Sequence, residues 1–144
     1  MDEPLPILVV EDDPLIGQVI EVTLEEAGYR VVWHEFGREA VDAAARLQPC
    51  AVLLDLMLPD MDGQDVLRFL RRDPRTRAIP VVVVSAVASI LTDDERGLVQ
   101  AVLPKPFAID RLVETVRSIQ HTGPAPTPPL SWRGEGQARG RGES

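Results

Sequence analysis

Ala51-Val52-Leu53-Leu54-Asp55-Leu56-Met57-Leu58-Pro59-Asp60-Met61-Asp62-Gly63 sets an apolar run against a carboxylate and follows it with a loop of Pro, Asp and Gly. A four-residue apolar run bounded by turn residues suits a strand buried on both faces of a parallel sheet, although periodicity alone also admits a short buried helix. As a strand it places Asp55 at its carboxyl end. At that edge of an open α/β sheet the connecting loops diverge around a ligand crevice. An Asp there is a ligand or nucleophile, or it caps the turn that follows. The rest of the chain decides between the two.

Ile7-Leu8-Val9-Val10 is a second apolar run that ends in acid, Glu11-Asp12-Asp13, with Pro14 next. Asp13 before Pro14 reads as the N-cap and first-turn proline of a helix. That helix carries Ile16, Val19, Ile20 and Leu24 on one face and stops at Gly28. The helix dipole favours acids near its N-terminus, which accounts for one of Glu11 and Asp12 better than for both. Residues 30–35 form a shorter, more polar strand suited to a sheet edge. A helix over 37–48 follows, with Ala40, Val41, Ala44 and Leu47 on one face and Pro49 closing it.

Beyond the central loop, residues 64–72 predict a helix with Val66, Leu67 and Leu70 inward and Arg68, Arg71 and Arg72 on a solvated face. Asp73-Pro74 breaks it. Residues 79–86 are the most strand-like in the chain and carry Ser85 near their carboxyl end. The weakest helical signal is 87–99. There Thr92-Asp93-Asp94-Glu95 offers a capped start, but Gly97 interrupts it and little apolar face remains, so a short, mobile helix is expected. A strand over 101–103 leads to Lys105, held between Pro104 and Pro106, and a last helix over 108–119 carries Ile109, Leu112, Val113, Val116 and Ile119 on one stripe. Five strands alternating with five helices predict an α/β fold, a doubly wound parallel sheet with right-handed crossovers.

At 144 residues the chain suits one domain rather than two. We place that domain at residues 1–121. Residues 122–144 form a Pro/Gly-rich tail with too little apolar surface to offset ordering entropy, and we expect them to be disordered, Trp132 being a chance aromatic there. A net charge of -8 without clustered Lys and Arg argues against direct nucleic-acid binding. The lone Cys50 forms no internal disulfide and reads as a small core residue. His34 has no second His or Cys at ligand spacing and reads as an ordinary strand residue. The acidic start lacks a secretory signal, and no run approaches the roughly 18 apolar residues of a membrane span. A cytoplasmic protein is expected.

In this topology Glu11, Asp12, Asp55, Ser85 and Lys105 fall at the carboxyl ends of strands one, three, four and five. Neighbouring carboxylates do not all stay ionised without counter-charge, which a divalent cation or Lys105 supplies. Mg²⁺ suits the place, because it takes one or two carboxylates, keeps several waters and leaves positions for phosphate oxygens. With Asp12 and Asp55 on the metal, the second oxygen of Asp55 is free to attack a phosphoryl group and form an acyl phosphate. Such transfer needs in-line positioning and stabilised equatorial oxygens. The metal, Lys105 and the Ser85 hydroxyl each cover one of these.

These residues resemble the receiver domain of two-component response regulators. The resemblance covers residues 6–120. It rests on Ile7-Leu8-Val9-Val10-Glu11-Asp12-Asp13, on Leu53 to Gly63 around Asp55, on Val81-Val82-Val83-Val84-Ser85-Ala86 and on Pro104-Lys105-Pro106-Phe107. Each motif is common alone; in order, at domain-wide spacing, they are specific. The resemblance implies the five-stranded flavodoxin-like order 2-1-3-4-5. It makes Asp55 the phosphoacceptor for a histidine kinase or phosphotransfer protein. Asp12 would bind Mg²⁺ directly, Glu11 through water and Met57 through its backbone carbonyl. Ser85 would be the switch hydroxyl, Lys105 the phosphate-pairing lysine, and Pro106 the site of a cis peptide bond.

The implied protein is a stand-alone receiver that catalyses only its own phosphorylation and slow dephosphorylation. It would signal to a downstream protein effector through the face of helix four, strand five and helix five, and a phosphorylation-dependent homodimer stays open. The alternatives are a phosphorylation-independent interaction domain and the truncated N-terminal receiver of a larger regulator. A phosphohydrolase would need a carboxylate where Met57 stands. The chain departs from the family pattern at Val102, where an aromatic commonly sits, and in the shortened segment between Ser85 and Lys105. We therefore expect phosphorylation to reorder residues 87–98 directly, with Met57 and Val87 flanking the path of hydrolytic water.

Overall fold

The two apolar runs that end in acid are strands β1 (Ile7–Val10) and β3 (Ala51–Leu54), buried throughout and paired in parallel from Ile7 with Ala51 to Val10 with Leu54. The computed structural model describes residues 4–120, so the tail at 122–144 lies outside the described residues. Around this pair the chain adds α1 (Pro14–Glu26), β2 (Val31–His34), α2 (Gly37–Leu47), α3 (Gly63–Arg72), β4 (Val81–Ser85), α4 (Asp93–Arg96), β5 (Ala101–Pro104) and α5 (Ile109–Ile119), with a 3-10 turn at Ala88–Ile90. All pairings are parallel, in the order β2-β1-β3-β4-β5. This is the expected doubly wound α/β fold. Among the described residues no helix is long and apolar enough to cross a membrane.

Alternation along the strands divides the core. Leu8, Val10, Val52, Leu54, Val81 and Val83 face α2, α3 and the α4 segment. Ile7, Val9, Leu53, Val82 and Val84 face α1 and α5. The helix after β1 therefore lies on one face and the helix after β3 on the other, which opens a crevice between the two strand ends. β2 is half-buried, as an edge strand should be.

Local chemistry explains the helix ends. Asp13 Oδ1 accepts the backbone N–H groups of Leu15 and Ile16 at 2.9 and 3.4 Å, capping α1 ahead of Pro14. Gly28 ends it at φ +101°, a conformation that disfavours side chains. α1 buries Gly17, Ile20 and Leu24 but leaves Val19 exposed, because its contact with the sheet is a narrow strip. In α5 the stripe holds at Leu112, Val116 and Ile119, whereas Ile109, in the first turn, is 53% exposed. Cys50 is half-buried at the start of β3, with its thiol 3.6 Å from Leu5 O.

The largest departure from the sequence reading is Arg71, which is fully buried rather than on a solvated face. Its Nε and Nη2 donate to Leu98 O at 3.1 and 2.8 Å, and its Nη1 to Arg77 O at 3.1 Å and Ile79 O at 2.8 Å. Burial lowers its pKa to about 10, so it stays cationic at neutral pH. One guanidinium thus ties α3 to the approaches to both β4 and β5.

The α4 segment also has more core than its sequence promised: Leu91, Leu98 and Val99 are buried. Thr92 and Glu95 form the predicted capping box, with Glu95 N–H to Thr92 Oγ1 at 3.1 Å and Thr92 N–H to Glu95 Oε1 at 2.9 Å. The same buried Glu95 accepts from Gln64 Nε2 at 2.9 Å and Arg68 Nη2 at 3.2 Å. Burial pushes its carboxyl up, but these contacts outweigh that and hold it below the usual carboxylate range.

Arg71→Met keeps most of the volume but leaves two buried carbonyls, Leu98 O and Ile79 O, and the part-buried Arg77 O without their donor. We expect a loss of about 3 kcal/mol in urea unfolding, from the usual cost of unmade buried hydrogen bonds. A loss under about 1 kcal/mol, within the range of ordinary surface changes, would show that the strut is dispensable.

Candidate functional site

Asp55 directly follows β3, and its backbone N–H donates to Val10 O at 3.0 Å, locking it beside the end of β1. Its carboxylate is nearly buried. Oδ1 accepts from Met57 N–H at 3.2 Å and Oδ2 from Lys105 Nζ at 3.0 Å. Glu11, one residue past β1, is also buried, and its Oε1 accepts from Lys105 Nζ at 2.7 Å. Burial is the main influence on Glu11 and raises its carboxyl from 4.5 to about 7 against the pull of Lys105. Burial alone would lower Lys105; its hydrogen bonds to Glu11 and Asp55 outweigh that and hold the ammonium above its ordinary range.

Asp12 is exposed at the mouth, and one oxygen from each of Glu11, Asp12 and Asp55 lies within 4.8 Å of the others. Three hard oxygen donors at this spacing suit a hard divalent cation of Mg²⁺ size. Ser85 ends β4 fully buried, its Oγ accepting from Val87 N–H at 3.2 Å and its carbonyl from Lys105 N–H at 3.1 Å. Met57 is 61% exposed, and its backbone N–H on Asp55 Oδ1 links it to the cleft. The Lys105–Pro106 bond is cis. All five side chains expected at the strand ends therefore sit at the same edge of the sheet.

Several residues that shape this edge are not marked by sequence. Asp60 reads as a turn residue, yet its two oxygens accept Gly37 N–H at 2.7 Å and Arg38 N–H at 3.0 Å, capping α2 from the β3–α3 loop. The Arg38 amide leads the contacts that hold its carboxyl below the usual range. Gly63 is required by space: a Cβ there would overlap Asp55 O and Leu56 Cα. Its only sequence signal is a glycine where the loop meets α3. Trp33, whose indole N–H donates to Glu11 O at 2.8 Å, carries no signal beyond an aromatic in an edge strand. His34 meets Glu39, Nδ1 to Oε1, at 3.3 Å, as suits an ordinary strand residue.

Residues 7–117 match the family model of the response regulator receiver domain. The chain is 39% identical over 116 residues to the DNA-binding dual master transcriptional regulator RpaA of Synechocystis, a match covering 78% of this chain and 48% of RpaA, about half that relative's length. It is 34% identical over 118 residues to the polar-differentiation response regulator DivK of Brucella anthropi, covering 80% of this chain and 95% of DivK. Among solved structures it resembles the receiver domain of the sensor histidine kinase PA1611 of Pseudomonas aeruginosa PAO1, which holds a magnesium ion in its active site cleft. That match has a TM-score of 0.75 at 31% identity and covers 83% of this chain and all of the other. With the fold, the acidic edge and these matches in agreement, the chain belongs to the response regulator receiver domain family of two-component systems.

Proposed function

We propose that Asp55 accepts a phosphoryl group from a sensor histidine kinase or phosphotransfer protein in a Mg²⁺-dependent reaction, and that the phosphorylated form signals to a downstream protein effector. The observation that carries this is the cluster of Glu11, Asp12 and Asp55 oxygens with Lys105 Nζ bridging two of them. The magnesium in the PA1611 receiver cleft supports the choice of metal.

Glu11, Asp12 and Asp55, with the Met57 carbonyl, would hold the ion. When bound it would neutralise charge on the transferring phosphoryl oxygens. An Asp55 carboxylate oxygen attacks phosphorus as the bond from phosphorus to the donor imidazole nitrogen breaks, and the nitrogen keeps the electron pair. Lys105 then turns from Asp55 Oδ2 to the new phosphoryl oxygen. Ser85 Oγ accepts from Val87 N–H, so its own proton is available for another phosphoryl oxygen. Met57 offers no carboxylate two residues past the nucleophile, which favours self-dephosphorylation over turnover of external substrates. The effector face assigned is α4, β5 and α5, in a cytoplasmic setting.

Incubation with acetyl phosphate and Mg²⁺ should add one phosphate by intact mass, and neither Asp55→Asn nor an EDTA-treated sample should gain it. An equal gain in Asp55→Asn would remove Asp55 as acceptor. Because metal-free Glu11 binds a proton below about 7, cation binding must expel it. Mg²⁺ affinity should therefore rise from pH 6 to 8, by up to about tenfold per unit on the acid side, and level off above. A flat calorimetric profile over that range would contradict this. Phosphorylation should also lower amide-exchange protection of residues 87–98, and unchanged protection there would argue against direct reordering of the segment.

A further inference from the structure

The peptide joining Glu11 to Asp12 is gripped from β2. Glu11 N–H donates to His34 O at 3.1 Å, as a last rung of the β1–β2 pairing. The Glu11 carbonyl lies beyond that ladder and accepts instead the Trp33 indole N–H at 2.8 Å. The carbonyl and the Asp12 N–H belong to one planar unit, so this bond fixes the plane from which Asp12 departs. Among the described residues no hydrogen bond holds the Asp12 side chain itself. Its carboxylate is therefore placed by the backbone alone.

The indole reaches this position because residue 17 has no side chain. Gly17 is buried in α1, and a Cβ built on it would overlap Trp33 Cζ2 and Cε2. Glycine inside a helix is unfavourable relative to alanine, so its presence answers to the ring. Trp33 is half-buried and packs against the core cluster on the α1 and α5 face.

We propose that Trp33 is a positioning residue for cation binding: its indole N–H orients the Glu11–Asp12 peptide and so holds the Asp12 carboxylate at the acidic cleft, with Gly17 providing the space. The inference rests on the reading of that cleft as a Mg²⁺ site. Trp33 touches neither ion nor phosphoryl group. It acts as outer partners of metal ligands do, by restricting where a ligand points.

The test is calorimetric titration of MgCl₂ into the full chain as native protein, Asp12→Asn, Trp33→Phe, Gly17→Ala and Val116→Ala. Native protein should bind and Asp12→Asn should bind much more weakly; if the two behave alike, the Mg²⁺ reading fails and the proposal falls with it. Trp33→Phe keeps an aromatic ring but loses the donor, and should bind about threefold to tenfold more weakly. Gly17→Ala should weaken binding similarly by displacing the indole, and should cost less in a Trp33→Phe background, where the smaller ring leaves room. Val116→Ala, on the buried face of α5 and outside the hydrogen bonds of the cleft, should lower the thermal midpoint without changing Mg²⁺ affinity. Native affinity in folded Trp33→Phe overturns the proposal. If that variant does not fold, native affinity in Gly17→Ala overturns it instead. An equal loss of affinity in Val116→Ala would reduce Trp33 to general stability and overturn it as well.

Discussion

The Lys105 ammonium, bridging Glu11 Oε1 and Asp55 Oδ2, is the contact on which the acidic edge depends. Glu11 and Asp55 are both buried, with oxygens within 4.8 Å, so their mutual repulsion is on the order of 3 kcal/mol at the effective dielectric usual for proteins. Parallel pairing of β1 with β3 forces this proximity, because each strand releases its acid at the same end. Relief comes from a residue 94 positions away in sequence from one of them and 50 from the other. The lysine reaches both only when β5 is in register, a condition marked by its own N–H on Ser85 O. The charge balance of the cleft therefore reports completion of the sheet, and a bound cation would add to a balance already set by the fold.

Cations also organise the other side of the molecule. A four-residue helix has almost no stability of its own, since nucleation outweighs the few bonds formed. α4 takes its order from α3: Arg68 and Gln64 bind buried Glu95, and Arg71 binds the Leu98 carbonyl. The first residue of α3, Gly63, lies against the Asp55 backbone, with its N–H on Leu56 O at 2.8 Å. One rigid helix thus touches the proposed phosphoacceptor at its first turn and the α4 segment along its later turns.

The strands and the five side chains at their carboxyl ends were legible because each depends on a local pattern: an apolar run that stops at an acid, a hydroxyl or a lysine between prolines; the strand order followed from the family resemblance. Arg71 was not legible, since a helix-face argument assigns long cations to solvent and sequence does not show three carbonyls converging on one buried point. Glu95 was read correctly as part of a cap but not as buried, because its partners Gln64 and Arg68 come from another helix. Asp60, Gly63 and the Gly17–Trp33 pair share that cause. Each is defined by what approaches it from a distant element, and residue type alone carries no trace of the approach. Val19 and Ile109 failed for the opposite reason: a helical stripe predicts a face, while the width of the surface beneath it decides how much of that face is covered.

Val102 constrains how a signal would leave the proposed site. It is half-buried in β5 and packs against the core cluster that includes Leu91, Leu98 and Val99, and a β-branched side chain is restricted at χ1 and too short to swing between surface and interior. An aromatic at this position would couple to the switch hydroxyl by moving a ring; valine has no such motion to offer. The Ser85 hydroxyl accepts the Val87 N–H, and that amide opens the segment leading to α4. Under the proposed function, a hydroxyl drawn toward a phosphoryl group would pull on this backbone rather than on a side chain. That backbone is the stretch whose order is borrowed from α3, so under that function the shortened α4 and the missing aromatic would be two aspects of one mechanical arrangement.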